Sequence, residues 1–431
     1  MATNLSNKKI LCFDNGAFFE ICLKLADYYK EVLYYVPWDY TGFPKPDKAR
    51  IGSEWVNGKM LDTFDGKPFR KVEDFWVALQ EADIVFFTDC YNGHMMEHLR
   101  EMGYPVCGSG AGQIIELDRW QAMKEFKEQG MDVGNVIKIT GLTKLTEHLK
   151  GVKDKWIKIS KYRKLVETFH HESLELSMPI LDKMSWELGS TKETIEFLVC
   201  DPIDAIVEEG IDIFCVDGKY PSNTLAGTEV KDKAYYGEIM SYDKLSKGIQ
   251  KTTNQISPIL KKYGYKGFFS TEVRTTKDNK NYLSDFTARL PLPPSPLYTL
   301  MFDNLGQIVW EIANGNVIDI KPKYKCGLFL TLTSDHFNHG NLTISFPSEY
   351  RDNVKLTNPI KVDGKYSCIN INDFPEFGSI VVGGNSYEDC YKQMEKIVPT
   401  IKGYGVKIEL KDCEDSYTEF CKMMKNGITS S

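Results

Sequence analysis

The chain has 431 residues, 42% of them hydrophobic and 26% charged, with a formal net charge of -7. That length accommodates two or three domains with substantial cores, and the negative balance argues against a protein whose main task is to coat nucleic acid. No apolar run reaches the ~18 residues that span a bilayer, the opening MATNLSNKKILCF has no secretion-type apolar segment, and 11 scattered cysteines without a Cys-x-x-Cys pair suit reduced thiols in a cytoplasm.

Taken in order, residues 9–14 (KILCFD) form a short apolar run ending at Asn15-Gly16. A helical pattern over 18–29 and a second apolar run over 31–36 follow. This predicts a β-loop-α-β opening in which Gly16 lets a phosphate or nucleotide approach the turn. The pattern repeats with a strand over 82–88, a helix over 93–102 and a strand over 105–107. Residues 1–115 are therefore expected to form a small doubly wound α/β domain. His94-Met95-Met96-Glu97-His98 matches an H-x-x-E-H zinc peptidase pattern. Five residues match cheaply by chance, however, and no later helix offers a clear third ligand. A surface helix is the expectation there, and His336 and His339 are read the same way.

Asp118 opens a predicted helix that Gly130 ends. A strand over 135–139, a helix over 142–149 and a strand over 155–160 (KWIKIS) come next. In that strand Trp156, Lys158 and Ser160 share one face, while Ile157 and Ile159 share the other. A lysine inside an apolar strand either reaches water along its own stem or meets an anion. The basic run Lys161-Tyr162-Arg163-Lys164 reads by itself as a solvated loop. A helix over 190–198, a link at 199–202 and a segment over 205–216 carrying the acidic pair Glu208-Glu209 are predicted to follow.

Residues 267–291, GFFSTEVRTTKDNKNYLSDFTARLP, read as a hairpin around a Lys277-Asp278-Asn279-Lys280 turn. Centring the turn between Asp278 and Asn279 places Glu272 directly opposite Asp285, with Cβ atoms roughly 5 Å apart. Two carboxylates that close call for a cation or a shared proton. Thr287 and Arg289 point to the same face as Asp285, which offers oxygen ligands for a hard cation such as magnesium with a guanidinium beside them for a phosphate. An exposed hairpin whose polar face meets water is the other reading of the same residues. Beyond it, a helix over 305–314, strands over 327–333, 342–346 and 378–382, a helix over 387–398, and a final strand and helix are predicted.

The succession of an α/β domain, a strand lysine, a basic loop, an acidic pair and a two-carboxylate hairpin ending in arginine resembles the ATP-grasp ligases. More closely it resembles the phosphoribosylamine–glycine ligase family. The segments PVCGSGAGQIIELDRWQAMKEFKEQG, FLTLTSD, FPSEYR and SIVVGGNSYEDCYKQMEKI are similar to parts of that family. The resemblance implies an α/β protein with an α+β lid: an N-terminal domain at 1–115, a lid at 116–193, a catalytic half at 194–320 and a C-terminal domain at 321–431. It implies that Arg119, Lys158, Lys161 and Arg163 hold ATP phosphates and that Glu208 or Glu209 binds the ribose. Adenine would lie near 197–200. Glu272, Asp285 and Thr287 would bind magnesium, with manganese as an alternative, and Arg289 would act at the transferring group. Asn15, Gly16 and Asp89 would face the substrates.

Three departures set this chain apart from the family. The phosphate-covering loop after Lys158 has no glycine, so Lys161, Arg163 and Lys164 would supply its positive field. The first-turn Gly-Gly-Arg-Glu-His motif is Gly16-Ala17-Phe18-Phe19-Glu20, in which aromatic rings suited to stacking stand where an arginine would hold a phosphate. The later substrate loop is Thr88-Asp89-Cys90-Tyr91-Asn92. Bacteriophage members resemble this pattern in keeping the ATP half better than the substrate half. The resemblance thus implies a cytoplasmic monomer or homodimer that joins a glycine-like amino acid to an amine-bearing nucleotide or sugar phosphate at the expense of ATP. A nucleotide-binding protein without catalysis and a genuine phosphoribosylamine–glycine ligase are the alternatives it leaves.

Overall fold

The computed structural model describes residues 3–37, 50–161, 168–370 and 375–428. An all-parallel five-stranded sheet opens the fold, in spatial order Phe69–Lys71, Glu31–Tyr35, Lys9–Phe13, Ile84–Phe87 and Val106–Cys107. Strand order reverses beside Lys9–Phe13, so the loops leaving Lys9–Phe13 and Ile84–Phe87 border a crevice at the carboxyl ends of the strands. Asp14 is buried there and accepts hydrogen bonds from Tyr34 Oη (2.7 Å) and Thr88 Oγ1 (2.9 Å), which tie the two loops together.

A four-stranded antiparallel sheet follows, ordered Thr168–His171, Lys155–Ile159, Glu196–Cys200 and Val136–Thr140. Its inner face buries Ile157, Ile159, Phe197 and Val199 against the helices Leu142–Leu149 and Leu174–Leu188. The predicted helix over 190–198 is thus a strand from 196, and the helix lies earlier. EFLVC sits between two strands, and partners on both edges set its conformation where a five-residue apolar run alone is ambiguous.

The largest sheet runs, in order, Asn281–Thr287, Lys266–Thr276, Ala205–Val216, Asn223–Val230, Ala234–Ser241, Cys326–Ser334, Glu376–Gly384 and Val354–Leu356, with Val406–Lys407 also pairing Cys326–Ser334. It is continuous across residue 321. The helix Lys247–Lys262 covers one face through Ile249, Ile256 and Leu260. The helices Ser295–Met301 and Leu305–Ala313 cover part of the other face together with the N-terminal domain. A smaller six-stranded sheet joins Glu54–Val56 and Lys59–Met60 to strands of the C-terminal part. Arg351 fastens the same junction, its guanidinium 3.0 Å from Glu20 and 2.6 Å from Asp65. No helix among the described residues is long and apolar enough to cross a membrane.

Candidate functional site

Glu272 and Asp285 are direct cross-strand partners in the hairpin Lys266–Thr276/Asn281–Thr287, and Thr287 pairs with Ser270. Immediately beyond Glu272 the register slips by one, because Val273 pairs with Leu283. The bulge leaves Ser284 outside the ladder, where its Oγ donates to the Glu272 carbonyl (3.0 Å) and its own carbonyl accepts from Lys158 Nζ (3.1 Å). Lys158 thus reaches from the small sheet to the edge of the carboxylate pair. The two readings open for this lysine are a head in water and an anion partner; the structure instead has its ammonium donating to a neutral backbone carbonyl of the hairpin.

The Glu272 carboxyl keeps access to the open cleft but lies deep among protein atoms. Desolvation, then the Asp285 carboxylate, then Glu208 and Glu229, push it up to about 8. Crowded carboxylates of this kind suit a hard divalent cation. No cluster of three His, Cys, Asp or Glu ligands occurs among the described residues. Two carboxylates with phosphates and water completing the shell is how magnesium is commonly held in phosphoryl-transfer sites, so the donor set fits that ion.

The register continues as a row across the sheet. Gly210 pairs with Glu272 and with Gly227, Gly227 with Gly237, Gly237 with Gly327, and Gly327 with Gly383. Paired residues share a face, so the row makes a flat track leading away from the carboxylates, onto which Tyr235, Met301, Leu297 and Tyr324 pack closely. Tyr235 lies over Gly227 and Gly237, where any Cβ would collide with its ring, and donates from Oη to the buried Asp212 (2.6 Å). Burial pushes the Asp212 carboxyl up to about 7. Sequence reasoning missed this floor, although a glycine inside each successive strand was its signal.

Arg119 opens the helix Arg119–Glu128, its Nη1 donating to the Ile159 carbonyl (2.8 Å). It and Lys158 both bring positive charge to Cys200, whose thiol burial pushes up and these two cations pull down. Lys161 instead rests between Asp118 (3.4 Å) and Glu196 (3.6 Å). Arg163 and Lys164 lie outside the described residues. The acidic pair splits because neighbours on a strand face opposite ways. Glu208 is on the cleft side, bonded to Arg274 (2.8 Å), whereas Glu209 points to the opposite face and accepts from Ser246 (2.7 Å). Of the two candidates for the ribose, only Glu208 is on the side of Glu272.

Arg289 is half-buried, its Nε 3.1 Å from Glu116 and 3.6 Å from Asp89. Glu116 also accepts from the Ala288 amide (2.7 Å). Asp89, expected on the substrate side, therefore meets Arg289 at the crevice of the first sheet. Glu116 went unrecognised in the sequence because its partners are 172 and 173 residues away.

A cavity of about 360 Å³ opens between the Gly16–Ile21 turn, the 292–296 loop and the cleft face of the largest sheet. Gly16 lines it, with φ at 90° permitting the tight turn, and Asn15 is half-buried next in sequence. The aromatic pair departs from expectation. Phe19 is 1% exposed and packs edge-on against Tyr34, Phe64 and Phe69, and Phe18 lines the cavity wall at 2% exposure. Phe19 serves the core and offers no open face for stacking on a base, while Phe18 gives the cavity only a small part of its surface. His94 and His98 lie exposed on the helix Gly93–Glu101, and His336 and His339 are also exposed, as expected for surface residues.

No family model and no curated protein matches the sequence. Solved structures do match the fold. The phosphoribosylamine–glycine ligase of Thermotoga maritima is similar at a TM-score of 0.68 and 13% identity, over 93% of this chain and 98% of that one. The biotin carboxylase domain of the Hydrogenobacter thermophilus 2-oxoglutarate carboxylase, solved with MgADP, gives 0.63 and 11%, over 94% and 92%. The L-amino acid ligase of Bacillus licheniformis gives 0.60 and 13%, over 93% and 99%. The chain has the ATP-grasp fold.

Proposed function

We propose that the protein is an ATP-dependent carboxylate–amine ligase that works through an acyl phosphate. One observation carries this: Glu272 and Asp285 face each other in the hairpin while Lys158 reaches across from the small sheet to the bulge beside them. Phosphoryl transfer is mainly a matter of positioning and charge stabilisation, and these residues supply both. Lys158 and Arg119 hold the ATP phosphates, Lys161 and Arg163 add positive field at the loop, Glu208 takes the ribose, and residues 197–200 line the adenine. Magnesium, held by Glu272 and Asp285 with Thr287 beside them, neutralises phosphate charge when bound.

Arg289, fixed by Glu116 and Asp89, orients the transferring phosphoryl group. A substrate carboxylate oxygen attacks the γ-phosphorus and ADP leaves. The amine of the second substrate then attacks the acyl carbon, phosphate departs, the amine loses a proton to water, and an amide remains. Asn15, Gly16 and Asp89, at the crevice, border the acceptor. The solved structures with this fold support the reading, since two are named as ligases, one of phosphoribosylamine and glycine and one of L-amino acids, and another holds MgADP.

The test is ADP release with paired pools of amino acids and amine-bearing compounds. Asp285→Asn is expected to abolish it with the circular dichroism spectrum unchanged. Full ADP release by that variant would remove the carboxylate pair from the mechanism.

A further inference from the structure

The 360 Å³ cavity is lined by a buried cation that no group among the described residues pairs with. Lys355 pairs with Ser379, and Ser379 with Thr331, so these three side chains stand on the cavity face of the sheet, whereas the neighbouring Val354 and Leu356 enter the core. Lys355 is only 7% exposed, and among the described residues it makes no hydrogen bond or ion pair. Ser295 Oγ and Asn358 Oδ1, in residues of the same wall, also have no partner, but both atoms are covered by protein and do not face the cavity. A buried cation without a partner at the wall of a cavity is costly unless a ligand completes it.

The charge around the cavity is asymmetric. Lys355 is the buried cation, while Glu229, Asp232 and Glu376 line the same space and are more exposed. Glu20 also lines it, but Arg351 neutralises that carboxylate at 3.0 Å. A phosphate monoester would bring nearly two negative charges to one lysine facing three carboxylates, an unfavourable match. A zwitterion suits both ends. Phe18, Phe329, Phe337 and Leu292 supply an apolar wall, and the volume exceeds what glycine would fill.

We infer that this cavity binds a free amino acid with a large apolar side chain, its carboxylate at Lys355 and its ammonium toward Glu229. Gly210 pairs with both Glu272 and Gly227, and Glu229 stands two residues beyond Gly227 on the same face of the sheet, so the amine end lies toward the carboxylate pair. Its role as the attacking amine rests on the ligase reading, and its binding does not. The cavity therefore favours an amino-acid acceptor over the sugar-phosphate amine that the family resemblance implies.

Calorimetry on the whole protein, with and without ADP, tests this with L-phenylalanine, phenethylamine, 3-phenylpropionate and inorganic phosphate as probes. L-Phenylalanine is expected to bind, and each analogue lacking one charged group to bind at least ~10-fold more weakly, a difference of one good polar contact. Lys355→Met should lose at least ~10-fold in affinity for L-phenylalanine and Lys355→Arg should retain part of it, while phosphate should not displace the amino acid. No binding of L-phenylalanine, binding unchanged in Lys355→Met, or displacement by phosphate would each overturn the inference. The analogue series on the unaltered protein stands even where a variant folds poorly. Binding of L-phenylalanine without ADP release in any substrate screen would uphold the amino-acid site and defeat the ligase reading alone.

Discussion

Replacing Lys355 with methionine removes a buried charge at nearly constant volume, and the structure gives the size of the effect. Burial, with Arg351 and Lys24 adding to it against the pull of Glu20 and Asp352, lowers the Lys355 ammonium from 10.5 to about 8. At 1.36 kcal/mol per pH unit this costs the folded state roughly 3 kcal/mol at pH 7. Below pH 8 the folded protein carries that charge at full cost. Between 8 and 10.5 the folded form sheds the proton while the unfolded chain keeps it, so this group makes stability rise with pH in that window. Lys355→Met is therefore expected to be more stable than the natural protein by about 3 kcal/mol at pH 7, and by only about 1 kcal/mol at pH 9.5. Thermal unfolding in matched buffers at the two pH values measures the difference. A variant that is less stable at pH 7, or whose advantage is the same at both pH values, would refute the reasoning. A charge retained at such a cost is the usual mark of a site under functional constraint.

Three further outcomes follow from the site. Lys158→Ala removes the cation bonded to the hairpin bulge and should weaken ATP binding by about 1–3 kcal/mol, read by calorimetry; unchanged affinity would leave this lysine a structural link. Glu116→Gln strips the charge from a carboxylate that holds Arg289, leaving Asp89 at 3.6 Å as its anion. A stability loss of about 3 kcal/mol in urea titration and a fall in ADP release are expected, and loss of neither would separate Glu116 from Arg289 function. Gly227→Ala places a methyl group against Tyr235 and the Tyr236 carbonyl, so a destabilisation of about 1–3 kcal/mol is expected in thermal unfolding. An unshifted transition would show that the floor yields without cost.

The sequence by itself determined what depends on neighbours in the chain. Side chains alternate along a strand and a short turn brings its arms together, so Glu272 opposite Asp285 was legible from residues 267–291 alone, as was the sharing of one face by Lys158 and Trp156. Local periodicity also marked the helix Arg119–Glu128 and the opening strand Lys9–Phe13. Tertiary structure decided whatever depends on pairing across long loops. Glu196–Cys200 became a strand because two partners flank it, and the bulge that gives Lys158 its acceptor at Ser284 is a detail of ladder closure that composition does not mark. Phe19 reads as a stacking surface in sequence, yet core packing takes its ring, since apolar area gains most where water is fully excluded. Lys355, within the plain string VKL, acquired a role only when three strands set it beside Ser379 and Thr331 over a cavity whose opposite wall comes from the first turn of the chain.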